Sequence, residues 1–111
     1  MSEAIHLTKV DFEDEVLGST KPVLVDFWAD WCAPCHRVAP VVDELAADYA
    51  GQVAVYKVDV DQEQELARQY GVRSIPTFLF VNGGEVVDRI SGAHPKARFV
   101  ERIDPLLDAA S

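Results

Sequence analysis

The chain has 111 residues and a mass of 12.3 kDa, with 49% hydrophobic and 26% charged residues, the profile of one globular domain spanning 1–111 and not of a disordered or collagen-like chain. Ten Lys and Arg against nineteen Asp and Glu leave a formal charge of −9, which argues against nucleic acid and anionic membranes as partners, because phosphate binding needs clustered cations. A chain this long buries roughly two-thirds of its unfolded surface, so it needs neither metal nor cross-links to hold a core.

No apolar run approaches the roughly 18 residues of a membrane span. The start, Met1-Ser-Glu-Ala-Ile-His6, has no positive flank and no apolar signal core, so nothing directs export and a cytoplasmic monomer is expected. In chain order, residues 5–7 fit a short edge strand. Thr8 followed by Asp11 predicts a capping box for a helix over 9–17 that Gly18 closes. Residues 22–29 are apolar on both parities and predict a central strand covered on both faces. Val38, Val41, Val42, Leu45, Ala46 and Tyr49 then form one helical stripe, so a helix should run from near Cys32 to Gly51, kinked at Pro40. Residues 53–60 predict a second buried strand, and Asp61 should cap a short helix over 62–70 ended by Gly71. Residues 76–81 and 85–90 flank Asn82-Gly83-Gly84 as a hairpin. A last helix should follow Pro95, with Asp104-Pro105 breaking it in two. The order βαβαβαββα implies an α/β fold with a mixed sheet of about five strands and helices on both faces.

Only two cysteines occur, Cys32 and Cys35, in Trp31-Cys-Ala-Pro-Cys-His36, where a buried strand gives way to a helix. Reactive groups of open α/β sheets gather at the carboxyl ends of strands. Cys32 should stand at the exposed helix start, where free N–H groups and the helix dipole favour a thiolate, with Cys35 about one turn behind. Pro34 suits the first helical turn. Three other readings stand beside a redox pair. A zinc half-site would draw on His6, His36 or His94, without a second ligand pair. A purely structural disulfide would close a very short loop and gain little. Two unreactive core thiols are the third. The strand–helix setting favours the dithiol–disulfide pair.

Two charges are misplaced among apolar neighbours. Asp26 lies in Val23-Leu-Val-Asp-Phe-Trp28 and Lys57 in Val53-Ala-Val-Tyr-Lys-Val58. Opposite charges on two inner strands point to an approach between them; the alternative is that Asp26 bonds local backbone and Lys57 extends to water. Trp31 should be a surface contact, Trp28 core near the site, Arg73 a groove-rim or merely solvated charge, and His6 and His94 surface residues without a role.

Phe27-Trp-Ala-Asp-Trp-Cys-Ala-Pro-Cys-His36 resembles the active-site segment of the thioredoxin family. Tyr70-Gly-Val-Arg-Ser-Ile-Pro-Thr77 resembles its cis-proline segment, Asn82-Gly-Gly-Glu85 its hairpin turn and Ser91-Gly-Ala93 its last substrate-contacting loop. The resemblance covers residues 5–109 with four motifs in order. It implies the thioredoxin fold and a general protein disulfide reductase cycling a Cys32–Cys35 dithiol and disulfide. It implies Cys32 as nucleophile and Cys35 as resolving thiol. Asp26 becomes a buried proton acceptor behind Cys35, paired with Lys57. Trp31, Ala33, Pro34, Ile75, Pro76, Gly92 and Ala93 become the substrate surface, with a cis bond before Pro76. No metal or organic cofactor is implied; the implied partners are disulfide-containing proteins and a flavin-dependent thioredoxin reductase fed by NADPH. Ala33 stands where the family usually has Gly, and His36 where Lys or Arg is usual, and both bear on the redox potential. Two alternatives remain: a thiol oxidase or isomerase, whose members often carry His between the cysteines, and a thioredoxin-fold binding module or subunit.

Overall fold

The structure, a computed structural model, describes residues 4–110. Its elements are β1 (Ile5–His6), α1 (Lys9–Phe12), β2 (Val23–Trp28), α2 (Ala33–Asp48), β3 (Ala54–Asp59), α3 (Gln64–Gln69), β4 (Thr77–Asn82), β5 (Glu85–Ser91) and α4 (Lys96–Ala110). The strands form one sheet in the order β1-β3-β2-β4-β5. β1 and β2 run parallel to β3, whereas β4 is antiparallel to both β2 and β5. This is the mixed five-stranded α/β sheet that the order of segments implied.

Alternation along the strands divides the core between the two faces. Leu24 packs with Val38, Val42 and Leu45 of α2 and Phe99 and Ile103 of α4. Val23, Val25 and Phe27 face the other way, onto Phe12, Val16 and Leu66. Asp26 has the parity of Leu24, so its carboxyl points toward the α2 and α4 side. Phe78 and Phe80 of β4 share that side, and Phe78 meets Phe99 edge-on at 4.7 Å.

Four boundaries differ from expectation. The first helix changes at Phe12 into a π-helical turn over Glu13–Leu17, closed by the Gly18 N–H on the Glu13 carbonyl. The Thr8 capping box does not form: the Thr8 hydroxyl donates to the Asp11 carboxylate at 3.2 Å, and no side chain caps the helix. Asp61 does not cap α3, whose N-cap is Glu63, again without a side-chain bond; Asp59 instead organises the turn through the Asp61 N–H. α4 is one helix through Pro105, not two. Both Asp104 and Pro105 lie on its exposed side, while Phe99 and Ile103 hold the buried stripe. The Tyr49 hydroxyl also donates to Asp104 at 2.7 Å, tying that turn to the end of α2. Pro40 likewise lies inside a continuous α2. The hairpin forms as expected because Gly83 and Gly84 both take positive φ, 61° and 81°, as its two-residue turn requires. No helix among the described residues is long and apolar enough to cross a membrane.

Candidate active site

β2 delivers the chain to the carboxyl edge of the sheet, and Ala29 to Trp31 turn it into α2. Cys32 is the N-cap of that helix, with extended backbone, and its Sγ accepts the Cys35 N–H at 3.2 Å. Pro34 occupies the first helical turn. Cys32 and Cys35 are joined as a disulfide with Cα atoms 5.2 Å apart. The expected difference in exposure between them is absent: each is only 4% exposed, packed with Ala29 against Trp28, Val60 and Ile75. In the disulfide the two sulfurs are bonded to each other, so one shield covers both. What separates them is position. Cys32 holds the cap, its Sγ lies 3.7 Å from the Ile75 carbonyl oxygen, and Cys35 sits within the helix.

Ile75–Pro76 is a cis bond. Pro76 is buried, contrary to its expected place on the open surface, and its carbonyl accepts the Gly92 N–H at 2.8 Å. That bond brings the Gly92-Ala93 loop alongside the proline segment. A groove of about 330 Å³ runs beside the disulfide, lined by Trp31, Val60, Val72, Arg73, Ser74 and Ile75. Trp31 is 69% exposed and its indole N–H donates to Asp61 at 2.8 Å, which stands the ring as a wall of the groove. Ala33, Pro34, Gly92 and Ala93 do not line this groove, although Ala33 and Ala93 are exposed and Pro34 and Gly92 half-buried.

Asp26 and Lys57 are register partners on adjacent parallel strands. No ion pair joins them: the Lys57 ammonium lies over the Trp28 ring, 4.7 Å from its centroid. The long stem lays the charge on that ring instead of the carboxylate, so the expected approach is met as a register pairing without an ion pair. Asp26 is 2% exposed, and its Oδ1 has no hydrogen-bond partner among the described residues. Burial pushes its carboxyl up to about 7; Lys57 opposes this and Asp43 of α2 adds to it. Trp28 is half-buried, not core, with His6 at 5.5 Å and His36 at 6.3 Å against its ring edge-on. His36 also places Nε2 2.6 Å from the Asp30 carbonyl oxygen.

Sequence reasoning missed Val60, Val72, Asp61 and Asp43. Val60 was within reach, since it directly follows β3 at the sheet edge where sites gather. Nothing in the sequence links Asp61 to Trp31 thirty residues earlier, and Asp43 reads as one more charge on a helix.

The thioredoxin family model matches residues 3–105. The chain is 50% identical over 104 residues to thioredoxin 1 of a Nostoc species, covering 94% of this chain and 97% of that protein. It is 48% identical to the thioredoxin of Haemophilus influenzae with the same coverage, and 46% identical over 107 residues to that of a Synechocystis species, covering 96% of this chain and all of that protein.

Proposed function

This chain belongs to the thioredoxin family and is a protein disulfide reductase; we propose that Cys32 is its attacking thiol, Cys35 its resolving thiol and Asp26 the base between them. The observation that carries this assignment is the N-cap position of Cys32, whose sulfur already accepts the Cys35 N–H. An anion there gains from the unpaired N–H groups and the helix dipole.

In the reduced protein the Cys32 thiolate attacks one sulfur of a substrate disulfide. A Cys32–substrate S–S bond forms, the substrate bond breaks, and the first substrate thiolate leaves and takes a proton from water. Asp26 as carboxylate takes the Cys35 proton. The Cys35 thiolate attacks Cys32 Sγ, the Cys32–Cys35 bond forms, and the second substrate thiolate leaves. The substrate gains two electrons, and the protein is left as the disulfide seen here. A carboxyl with pKa about 7 is half ionised near neutrality, so it can take a proton and return it within a cycle. Lys57 keeps it from rising further.

Substrate enters extended along the groove between Trp31 and Ile75, with the Ile75 backbone offering main-chain bonds and the Gly92-Ala93 loop flanking it. Two electrons then return from NADPH through a flavin-dependent thioredoxin reductase, and a reducing cytoplasm is the compartment in which this direction runs. Residues 1–111 act as one monomeric domain, and its net charge of −9 keeps it from nucleic acid and anionic membranes. The test mixes the protein with a disulfide-bonded protein, NADPH and a thioredoxin reductase and follows NADPH loss. Loss that requires both cysteines supports the reading. An absence of loss with a reductase that accepts other thioredoxins overturns it.

A further inference from the structure

A second hollow, of about 430 Å³, adjoins the groove beside the disulfide and shares Val60, Val72 and Arg73 with it. Its remaining wall comes from α3 and the turn after it, including Gln64, Ala67 and Arg68. Two guanidiniums line the hollow, those of Arg68 and Arg73. Of the ten Lys and Arg residues, Lys9, Lys96, Arg98 and Arg102 are in ion pairs. Lys57 lies on the Trp28 ring, and Arg89 donates to the Tyr70 and Gly71 carbonyls. Lys21, Arg37, Arg68 and Arg73 are exposed and have no ion pair among the described residues; of these four, Arg68 and Arg73 line this hollow, and Glu65, whose carboxylate feels Arg68, is already bonded to Lys9. The nearby Asp61 is occupied as acceptor of the Trp31 indole. In a protein of net charge −9, two of those four cations without an ion pair thus lie together on the continuation of the substrate track.

We infer that the Arg68–Arg73 hollow is a specificity pocket for a Glu or Asp side chain of the substrate polypeptide, a few residues along from the cysteine attacked by Cys32. The inference rests on the reductase reading above. Val60 and Val72 form a continuous apolar floor from the disulfide groove into the hollow, so a chain lying in one runs into the other. Guanidinium groups present forked donors that match a carboxylate. The protein's overall negative field repels an acidic substrate at distance, but that field is screened beyond about 8 Å at 0.15 M salt, whereas a contact pair is screened less. The pocket therefore selects at contact range what the rest of the surface disfavours.

The experiment uses peptides with one disulfide and a single Glu walked along both flanks, each with its Gln counterpart. The readout is the Glu-to-Gln ratio of kcat/KM at 0.15 M salt. An exposed contact pair contributes about 1.5- to 5-fold, so a ratio of about 1.5 to 5 is expected at one position or two adjacent ones. In Arg68→Gln/Arg73→Gln the ratio falls to one or below. In Arg68→Glu/Arg73→Glu a Lys peptide of the same series overtakes the Glu peptide. A ratio at or below one at every position in the parent overturns the inference, as does a ratio that survives the double substitution. If the parent reduces none of the peptides, the reductase reading falls and this inference with it. If it reduces all of them at equal rates, only the pocket falls.

Discussion

Asp26 and His36 both carry polar side chains near the cysteines, and they lie six residues before and four residues after Cys32. One is sealed between β3, β4 and α2 at 2% exposure, and the other stands on the rim of the site in solvent. Burial, against the pull of Lys57 and with the help of Asp43, pushes the Asp26 carboxyl up to about 7. A charge on the rim has water-like surroundings, where even contact at about 4 Å is worth about 1 kcal/mol. The same division holds for the other polar groups. Lys57 and the cysteines act from inside, while Trp31, Asp61 and Arg73 shape what arrives from outside. Chemistry should therefore depend steeply on the enclosed half and selectivity shallowly on the rim.

The largest effect tests the enclosed half. Cys35→Ser leaves Cys32 able to attack but removes the thiol that releases substrate, so turnover falls to background and a covalent Cys32–substrate adduct accumulates. Non-reducing electrophoresis and mass spectrometry detect it. Cys32→Ser should trap nothing; adducts in that variant instead would reverse the two roles.

Asp26→Asn comes next and separates stability from rate. Between about pH 4 and about 7 the folded protein keeps a proton on Asp26 that the unfolded chain has lost. The folded state binds more protons there, so stability falls as pH rises through that window, by at most about 4 kcal/mol at about 1.4 kcal/mol per unit, and levels off above it. Asn carries no such slope. Chemical denaturation should find the oxidised variant equal to the parent near pH 4 and about 2–4 kcal/mol more stable at pH 8. Resolution of the mixed disulfide should slow about 10- to 100-fold at pH 7. Parallel stability profiles would place Asp26 in contact with water and end its role as base.

The enclosed half was also the more legible in sequence. A carboxylate inside Val23-Leu-Val-Asp-Phe-Trp28 and an ammonium inside the next strand break an apolar pattern, and such a break is visible without a structure. Opposite charges on two inner strands pointed to an approach, and the parallel register does make the two residues partners. What the pattern could not supply was the path of a long side chain, and Lys57 reaches Trp28 instead of the carboxylate. The rim was harder to read. Trp31–Asp61 joins residues thirty apart across a loop, with no periodicity to mark it. Asp61 before a short helix had an equally good local use as a cap, and only tertiary placement decides between the two. Pro105 misled for a related reason: a proline on the exposed side of α4 is tolerated when Phe99 and Ile103 anchor the other side.

On the rim, Asp61→Ala removes the acceptor that holds the Trp31 indole. The ring then samples other rotamers, and substrate binding bears the cost of ordering it. A rise in KM of about 2- to 13-fold is expected, with kcat unchanged, because an exposed bond of this kind is worth about 0.5–1.5 kcal/mol. Tryptophan fluorescence anisotropy should fall in the same variant. A drop in kcat instead would move Asp61 from the rim to the chemistry.

The smallest effect belongs to His36. Four residues on from Cys32, it would share a helical face with the sulfur if both were helical. They are not: Cys32 is the cap, with ψ of 104°, and helical geometry starts at Ala33. The ring is also engaged elsewhere. A carbonyl oxygen can only accept, so the Nε2 atom 2.6 Å from the Asp30 carbonyl carries a proton, and this bond holds the imidazole against the edge of Trp28. Any charge on it acts on Cys32 through solvent, which limits the change in thiolate pKa to a few tenths of a unit, or about 0.4 kcal/mol. The rate of Cys32 alkylation between pH 5.5 and 8 should therefore superimpose within about twofold for the parent, His36→Ala and His36→Lys, once each is corrected for thiolate fraction. A Lys variant several-fold more reactive than the parent at pH 7.5, converging with it at pH 5.5, would show that the rim does tune the nucleophile, and the boundary between the two halves would have to be drawn closer to solvent.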